Sequence, residues 1–215
     1  MINVVSTGLR GDNGPFHAYV HKELLCAYSA HYSEVYKSIL TEPTEDVVTM
    51  DLPGAQVHSL VTWLYTGTMS SSDPLELLEL YAFADQKNML ALRRFLMSKL
   101  MTEYYLEAED SMPSLGRVSH NSGLFRYLVD LWASDWNQNA LEDHTCQIAA
   151  LDERKKIPRT FFYQLLRKFA TMGDDKESVL AALKVPCNYH EHLNASEWQE
   201  SMLPSYPDPS ISAPY

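Results

Sequence analysis

The sequence predicts an α+β protein, in which a small sheet flanked by helices is followed by an all-helical C-terminal extension. Two observations lead to this prediction. Short segments rich in β-type residues lie among turn-formers near the N-terminus, which is typical of strands. Elsewhere, apolar residues recur three and four positions apart, which is the spacing of one face of an α-helix.

Three strands are predicted in the first half of the chain. Residues 2–5 form a β-type run, and a turn-rich stretch separates them from the alternating segment at residues 16–20. Residues 47–52 alternate between two faces, as in a half-buried strand.

Signals for helix boundaries surround these strands. The Ser29 hydroxyl is suited to cap a helix whose apolar face continues to Leu40. Asp73, followed by Pro74 and Glu76, is an N-terminal capping pattern, and Gly67 can close the preceding helix in a left-handed conformation. The apolar faces of the helices predict these core residues: Leu25, Tyr36, Leu60, Leu64 and Tyr81.

Four stretches follow one another in this half: "FHAYVHKELLCAYSAHY", "VVTMDLPG", "VHSLVTWLYTGTM" and "LLELYAFADQKNMLALRRFL". Together they resemble the BTB/POZ domain, whose usual elements include a strand ending in Phe-x-x-x-x-His-Lys and a helix closing in Tyr-Thr-Gly. The resemblance covers residues 1–105, about half the chain. In general layout, the chain is most similar to small fungal BTB-domain proteins.

The resemblance implies a non-enzymatic protein–protein interaction module. Members of the family self-associate, bind the cullin scaffold of ubiquitin ligases or recruit transcriptional co-regulators, so we expect a substrate adaptor for a cullin-based ubiquitin ligase. The alternative is a homo-oligomeric scaffold that acts in transcriptional regulation without ligase activity. Many swapped BTB dimers use a helix ahead of the first core strand. Because the first β-type run here starts at residue 2, we expect a monomer or a weak homodimer.

The same resemblance implies a cullin contact. BTB adaptors that bind a cullin often carry an apolar-x-Glu triplet before the third strand, and Leu40-Thr41-Glu42 fits this pattern. Leu40 and Glu42 are therefore the predicted protein-binding residues. In the simpler interpretation, Leu40 completes the apolar face of its helix and Glu42 is an ordinary loop residue.

The second half of the chain divides by composition. Residues 106–119 are the predicted linker, residues 120–186 a helical extension, and residues 187–215 a polar, proline-rich and partly disordered tail. We expect the extension to pack against the first half. Its helical faces predict these buried residues: Leu124, Leu128, Leu131, Trp132, Phe161, Phe162, Leu165, Leu166, Phe169, Val179, Leu180 and Leu183.

Two groups of histidines are candidates for metal or catalytic chemistry. His17 and His21 would lie roughly 13 Å apart along a strand, too far for one ion. His31 lies at the start of the predicted helix that follows Ser29, not on the strand that carries His17 and His21. The resemblance implies that His21 fixes the corner between the second strand and the first helix, so a structural role is predicted for this group.

The second group is "CNYHEH", in which Cys187, His190 and His192 have the spacing C-x2-H-x-H. A thiolate and two imidazoles suit zinc, but a closed site needs a fourth ligand. The candidates for that ligand are Cys146, His144 and Glu191. Because the spacing is loose and none of these is clearly placed, the sequence predicts no metal site and no cofactor.

Composition and motifs exclude several other classes of function. The net charge of −11 and the pI of about 5.1 argue against a nucleic-acid partner, which requires clustered Lys and Arg. No phosphate loop, nucleophile elbow or zinc-protease motif is present, so the chain is predicted not to be an enzyme. The sequence contains no apolar run of membrane-spanning length and no signal-peptide pattern. We therefore expect an intracellular protein of the cytoplasm or nucleus.

Overall fold

The structure is a computed structural model that describes residues 1–8, 16–38, 47–69, 73–103, 115–135, 158–172 and 176–192. These ranges contain three strands and eight α-helices, so the protein is α+β, as predicted. The strands are β1 (Ile2–Gly8), β2 (His17–Val20) and β3 (Val47–Pro53). The helices are α1 (Lys22–Tyr28), α2 (Ala30–Ser38), α3 (Gly54–Thr66), α4 (Pro74–Gln86), α5 (Leu90–Glu103), α6 (Gly123–Asp135), α7 (Arg159–Met172) and α8 (Lys176–Leu183).

The three strands form one mixed sheet in the order β2-β1-β3. β1 is antiparallel to β2, with Ile2 opposite Val20, and parallel to β3, with Val4 opposite Val48. The parallel pair needs a crossover connection, and the chain between β2 and β3 includes α1 and α2. Because side chains alternate across a strand, Ile2, Val4 and Val20 share one face, where they are buried. α3 packs against all three strands.

The predicted cap at Ser29 is confirmed. Its Oγ accepts a hydrogen bond from the Tyr32 N–H at 3.2 Å, in the first turn of α2. The same hydroxyl donates to the carbonyl oxygen of Lys87 at 2.6 Å, across 58 residues of sequence. Ser29 therefore caps a helix and also fixes the position of that helix against the α4–α5 connection.

The boundaries of α3 and α4 are also as predicted. Gly67 adopts φ 69°, and its N–H donates to the Trp63 carbonyl oxygen at 2.8 Å. Asp73 Oδ1 accepts from the Leu75 N–H at 2.9 Å, with Pro74 at the start of the helix. These local signals are readable from sequence because each cap is made by residues close in the chain.

Four of the five predicted core residues are buried: Leu25, Leu60, Leu64 and Tyr81. The fifth, Tyr36, is half-buried, and the Lys22 ammonium lies over its ring, 4.2 Å from the centroid. α4 is buried on almost all sides, with these fully enclosed residues: Leu77, Leu78, Leu80, Tyr81, Ala82, Phe83 and Ala84. It is the central helix of the core.

The predicted face of α6 is confirmed, since Leu124, Leu128, Leu131 and Trp132 are all buried. On α7, Leu165 is buried as expected but Leu166 is 67% exposed, so that part of the prediction is wrong. Adjacent helical residues point about 100° apart, and on α7 the buried residues are Phe161 and Leu165, so Leu166 points away from the buried face. On α8, Leu180 is exposed in the same way.

The helical extension packs against the first half of the chain, as expected. One continuous core cluster includes buried residues of both halves, among them Leu115, Val118 and Tyr189. Leu115 and Val118 come from the predicted linker, and Tyr189 from the predicted tail. The domain boundaries drawn from composition stay predictions. Among the described helices, none combines the length and apolar character needed to cross a bilayer.

Leu64 provides a test of this packing. Because its side chain is almost completely enclosed, Leu64→Ala should lower the free energy of unfolding by about 2–5 kcal/mol. Leu166→Ala makes the same chemical change at an exposed site and should alter it by about 0.5 kcal/mol or less. Chemical denaturation of both variants measures the difference, and equal effects would contradict the assignment of these faces.

Candidate functional site

His21 lies at the junction of β2 and α1, and it is held by α3. Its backbone N–H donates to Tyr65 Oη at 3.0 Å, and its Nδ1 lies 2.8 Å from the same oxygen. The corner is thus fixed by a contact across 44 residues, which supports the structural role expected for His21. His31 instead packs its ring edge-on against Tyr32. Among the described residues, no metal-type cluster includes His17, His21 or His31.

The predicted protein-binding residues, Leu40 and Glu42, lie in residues 39–46, outside the described part of the chain. They stay predictions from the family resemblance. The candidate fourth zinc ligands His144 and Cys146 also lie outside the described residues.

The segment after α8 makes many polar contacts with the helices around it. It begins with a 3₁₀ turn, Pro186–Asn188, and continues to His192. Tyr189 is buried, and its hydroxyl donates to Asp130 Oδ2 at 3.0 Å. The other oxygen of Asp130 is paired with Lys168 Nζ at 2.8 Å. Burial, followed by the charge of Asp130, raises the pKa of Tyr189, so its hydroxyl stays protonated and remains a donor.

Glu191 joins three helices through one carboxylate. Its Oε1 accepts hydrogen bonds from the Tyr81 hydroxyl at 3.2 Å and from the Gly123 N–H at 3.0 Å. Its Oε2 forms an ion pair with Arg93 Nη1 at 2.8 Å, and the same nitrogen lies 2.6 Å from Asp85 Oδ1. Tyr81, Arg93 and Gly123 belong to α4, α5 and α6, so the carboxylate connects both halves of the chain.

This arrangement satisfies groups that would otherwise be costly to bury. Gly123 is the first residue of α6, where backbone N–H groups lack partners within the helix and the helix dipole favours a negative charge. The side chains of Arg93, Asp85 and Glu191 are only 12%, 8% and 22% exposed. At such burial, removing one partner of the ion pair costs far more than the pair contributes at a surface.

Tyr81 completes the junction. Its oxygen accepts a hydrogen bond from the Leu124 N–H at 3.2 Å while its proton is donated to Glu191. Burial, and then the negative charge of Glu191, raises the pKa of Tyr81, so the hydroxyl remains neutral. One phenol and one carboxylate thereby bind the first two N–H groups of α6.

The backbone of the segment is fixed as well. The Glu191 carbonyl oxygen accepts from Arg94 Nε at 2.9 Å. His190 Nε2 lies 2.9 Å from Ser98 Oγ, also on α5. Burial, then the neighbouring His192 and Arg94, lowers the pKa of His190, which favours its neutral form.

Cys187, His190 and His192 come together in this segment. Their potential ligand atoms all lie within 4.8 Å of one another, and each residue is half-buried. Both ring nitrogens of His192 are buried without a hydrogen-bond partner among the described residues. Glu191, the only predicted fourth ligand that the structure describes, directs its carboxylate instead to Tyr81, Gly123 and Arg93.

A cleft of about 740 Å³ opens beside these three residues, and all three line it. Its wall also includes His120, from the stretch before α6, and the basic residues Arg126, Arg167 and Lys168. The cleft lies between α6, α7 and the C-terminal segment, and its size is in the range of small-molecule sites.

The C-x2-H-x-H spacing identifies the cysteine and the two histidines as potential ligands but predicts no role for Tyr189. The same pattern predicts Glu191 only as a candidate metal ligand. Tyr189 is an aromatic residue within an otherwise polar segment, and this pattern indicates a side chain that packs into the core. The partners of Glu191 were not predictable, because they come from helices about 70 to 110 residues away.

Comparisons of the chain with models of protein families and with curated proteins find no match. The BTB resemblance therefore stays a prediction from the sequence.

Gly123 gives a sharp test of the C-terminal junction. A Cβ atom at this position would overlap the carbonyl oxygen of Tyr189. Gly→Ala within a helix normally increases stability by up to about 1 kcal/mol, but Gly123→Ala should lower it by about 1–3 kcal/mol, since the C-terminal segment must move. Gly116→Ala is the matched control, because a Cβ there meets no atom within 4 Å. Thermal and chemical unfolding measure both, and a stabilised Gly123→Ala would contradict the described packing.

Proposed function

We propose that this chain is a non-enzymatic protein–protein interaction module of the BTB type and that it acts as a substrate adaptor for a cullin-based ubiquitin ligase. One observation carries the proposal: the described elements run strand, strand, helix, helix, strand, helix and then a helical pair, from β1 to α5. The four sequence stretches that resemble the family lie in these elements, from β2 to α5. The small sheet with helices against one face is compatible with that fold.

The buried carboxylates that join the helices also favour a non-enzymatic role. The carboxylates of Glu191, Asp85 and Asp130 are all engaged in bonds that hold helices together. Such groups stabilise packing, and committing them to these bonds leaves them poorly placed for acid–base chemistry.

The homo-oligomeric scaffold is the second candidate, and one feature of the sheet favours it. The register places Tyr19 and Val47 on either side of Asn3, on the face opposite the buried one. Tyr19 is 67% exposed and Val47 is 45% exposed. An exposed tyrosine beside an apolar residue is typical of protein interfaces, and β2 and β3 are both edge strands of the described sheet.

Calorimetric titration of the full chain with the N-terminal region of a cullin tests the adaptor function. We expect binding that Glu42→Lys abolishes, because the charge reversal removes a charge-assisted hydrogen bond. Glu177→Lys makes the same charge change at an exposed position of α8 and should bind like the wild type. Glu42→Lys should keep the wild-type unfolding free energy within about 0.5 kcal/mol. Glu177→Lys should lower it by about 1 kcal/mol, because Glu177 lies in the first turn of α8, and the variant should remain folded.

Absence of binding by the wild-type chain at high micromolar concentration would overturn the adaptor function. Light scattering on the same samples then tests the scaffold. A dimer that Tyr19→Lys dissociates would support the oligomeric alternative, and a monomer at all concentrations would count against it.

A further inference from the structure

We propose that Cys187, His190 and His192 bind a divalent transition metal of the zinc class, with a fourth coordination position that opens to the cleft beside α6 and α7. This site is independent of the proposed adaptor function. It departs from the expectation drawn from sequence, which foresaw no metal because no fourth protein ligand was clearly placed.

The donor chemistry selects the class of metal. A thiolate and two imidazoles are borderline-to-soft ligands, which suit Zn²⁺ and its neighbours in the transition series. Ca²⁺ and Mg²⁺ prefer oxygen ligands, and the carboxylate of Glu191, between the two histidines in the chain, is bound to Tyr81, Gly123 and Arg93 instead.

The three candidate ligands lie near the spacing of a metal site. At a tetrahedral angle, Zn–S and Zn–N bonds of about 2.3 Å and 2.1 Å place the sulfur and a nitrogen about 3.6 Å apart. The potential ligand atoms of Cys187, His190 and His192 lie within 4.8 Å of one another. Closing the site on an ion therefore shortens the distances between these atoms by about 1 Å at most.

His192 provides an independent indication. Both of its ring nitrogens are buried and have no hydrogen-bond partner among the described residues. A buried polar nitrogen without a partner is unfavourable, and such groups in folded proteins call for an explanation such as a bound ion. A metal ion would take the lone pair of one ring nitrogen as a ligand.

The surrounding contacts hold the ligands in position before any ion binds. His190 Nε2 lies 2.9 Å from Ser98 Oγ, and a donor at that nitrogen would leave the Nδ1 lone pair available for the ion. Tyr189 and Glu191, which alternate with the two histidines, are anchored to Asp130 and to the Arg93 ion pair. Outer contacts of this kind orient metal ligands and increase affinity.

The fourth position follows from the cleft. Three protein ligands with a water or another small ligand in the fourth position are typical of open zinc sites. All three ligand residues line the cleft of about 740 Å³, so a fourth ligand can reach the ion from solvent. His120 also lines this cleft.

The test is a metal titration of the purified full chain after treatment with a chelator. Zn²⁺ is added in competition with a chromogenic chelator, and Co²⁺ is added to a second sample as a spectroscopic probe. We expect one equivalent of each metal per chain and a thiolate-to-cobalt charge-transfer band. Cys187→Ser should remove that band and weaken Zn²⁺ binding at least roughly 100-fold, and His192→Gln should weaken it in the same direction.

Matched controls remove the same chemical groups elsewhere in the chain. Cys26→Ser and His31→Gln should bind like the wild type, and circular dichroism should show that every variant is folded. Because the fourth position is open, Cys146→Ser and His144→Gln should also leave the affinity unchanged. A weaker complex in either of these two variants would overturn the open position. The whole proposal fails if the wild type binds no stoichiometric metal, if the cobalt complex lacks the charge-transfer band, or if Cys26→Ser weakens binding as much as Cys187→Ser.

Discussion

The bonds made by the Glu191 carboxylate are the interactions on which the described arrangement of the N-terminal half and the helical extension depends. It accepts hydrogen bonds from the Tyr81 hydroxyl and the Gly123 N–H, and it is paired with Arg93. A charged group at this level of burial is stable only when all of its partners are in place. The need to keep these partners bound to the carboxylate therefore fixes α4, α5, α6 and the C-terminal segment relative to one another. Apolar contacts are not directional and would fix these elements less tightly.

The positions of the cysteine and histidines follow from this constraint. The anchors at Tyr189 and Glu191 alternate with His190 and His192 in a segment too short to form a core of its own. Once the anchors are bound, Cys187 and the two histidines are brought together beside the cleft. The same junction joins the helical extension to the first half of the chain, so the proposed adaptor would present both halves as one surface.

The parts of the fold that could be predicted from sequence are those in which the residues that form a hydrogen bond are close together in the chain. Ser29, Gly67 and Asp73 act on residues two to four positions away, and their roles were predicted correctly. The predicted burial of Leu166 and Leu180 is wrong, since both side chains are exposed. Helical spacing shows which residues share a face, but it does not show how much of that face a neighbouring helix covers. The bonds of Glu191 span up to 110 residues and leave no periodic pattern. The sequence motif identifies Cys187, His190 and His192 as potential metal ligands. Only the structure shows that their ligand atoms lie within 4.8 Å of one another and that the ring nitrogens of His192 have no hydrogen-bond partner among the described residues.

The most direct test of the central claim is a double-mutant cycle between Arg93 and Glu191, measured by chemical denaturation of the full chain. Arg93→Met and Glu191→Gln each remove one side of the buried ion pair, and together they remove both. The structure predicts a coupling energy of at least about 1 kcal/mol, because residues in one buried network do not act additively. The same cycle between Glu191 and the exposed Arg159 of α7 should be additive within about 0.5 kcal/mol. Equal, additive behaviour in both cycles would contradict the conclusion that this carboxylate holds the two halves together.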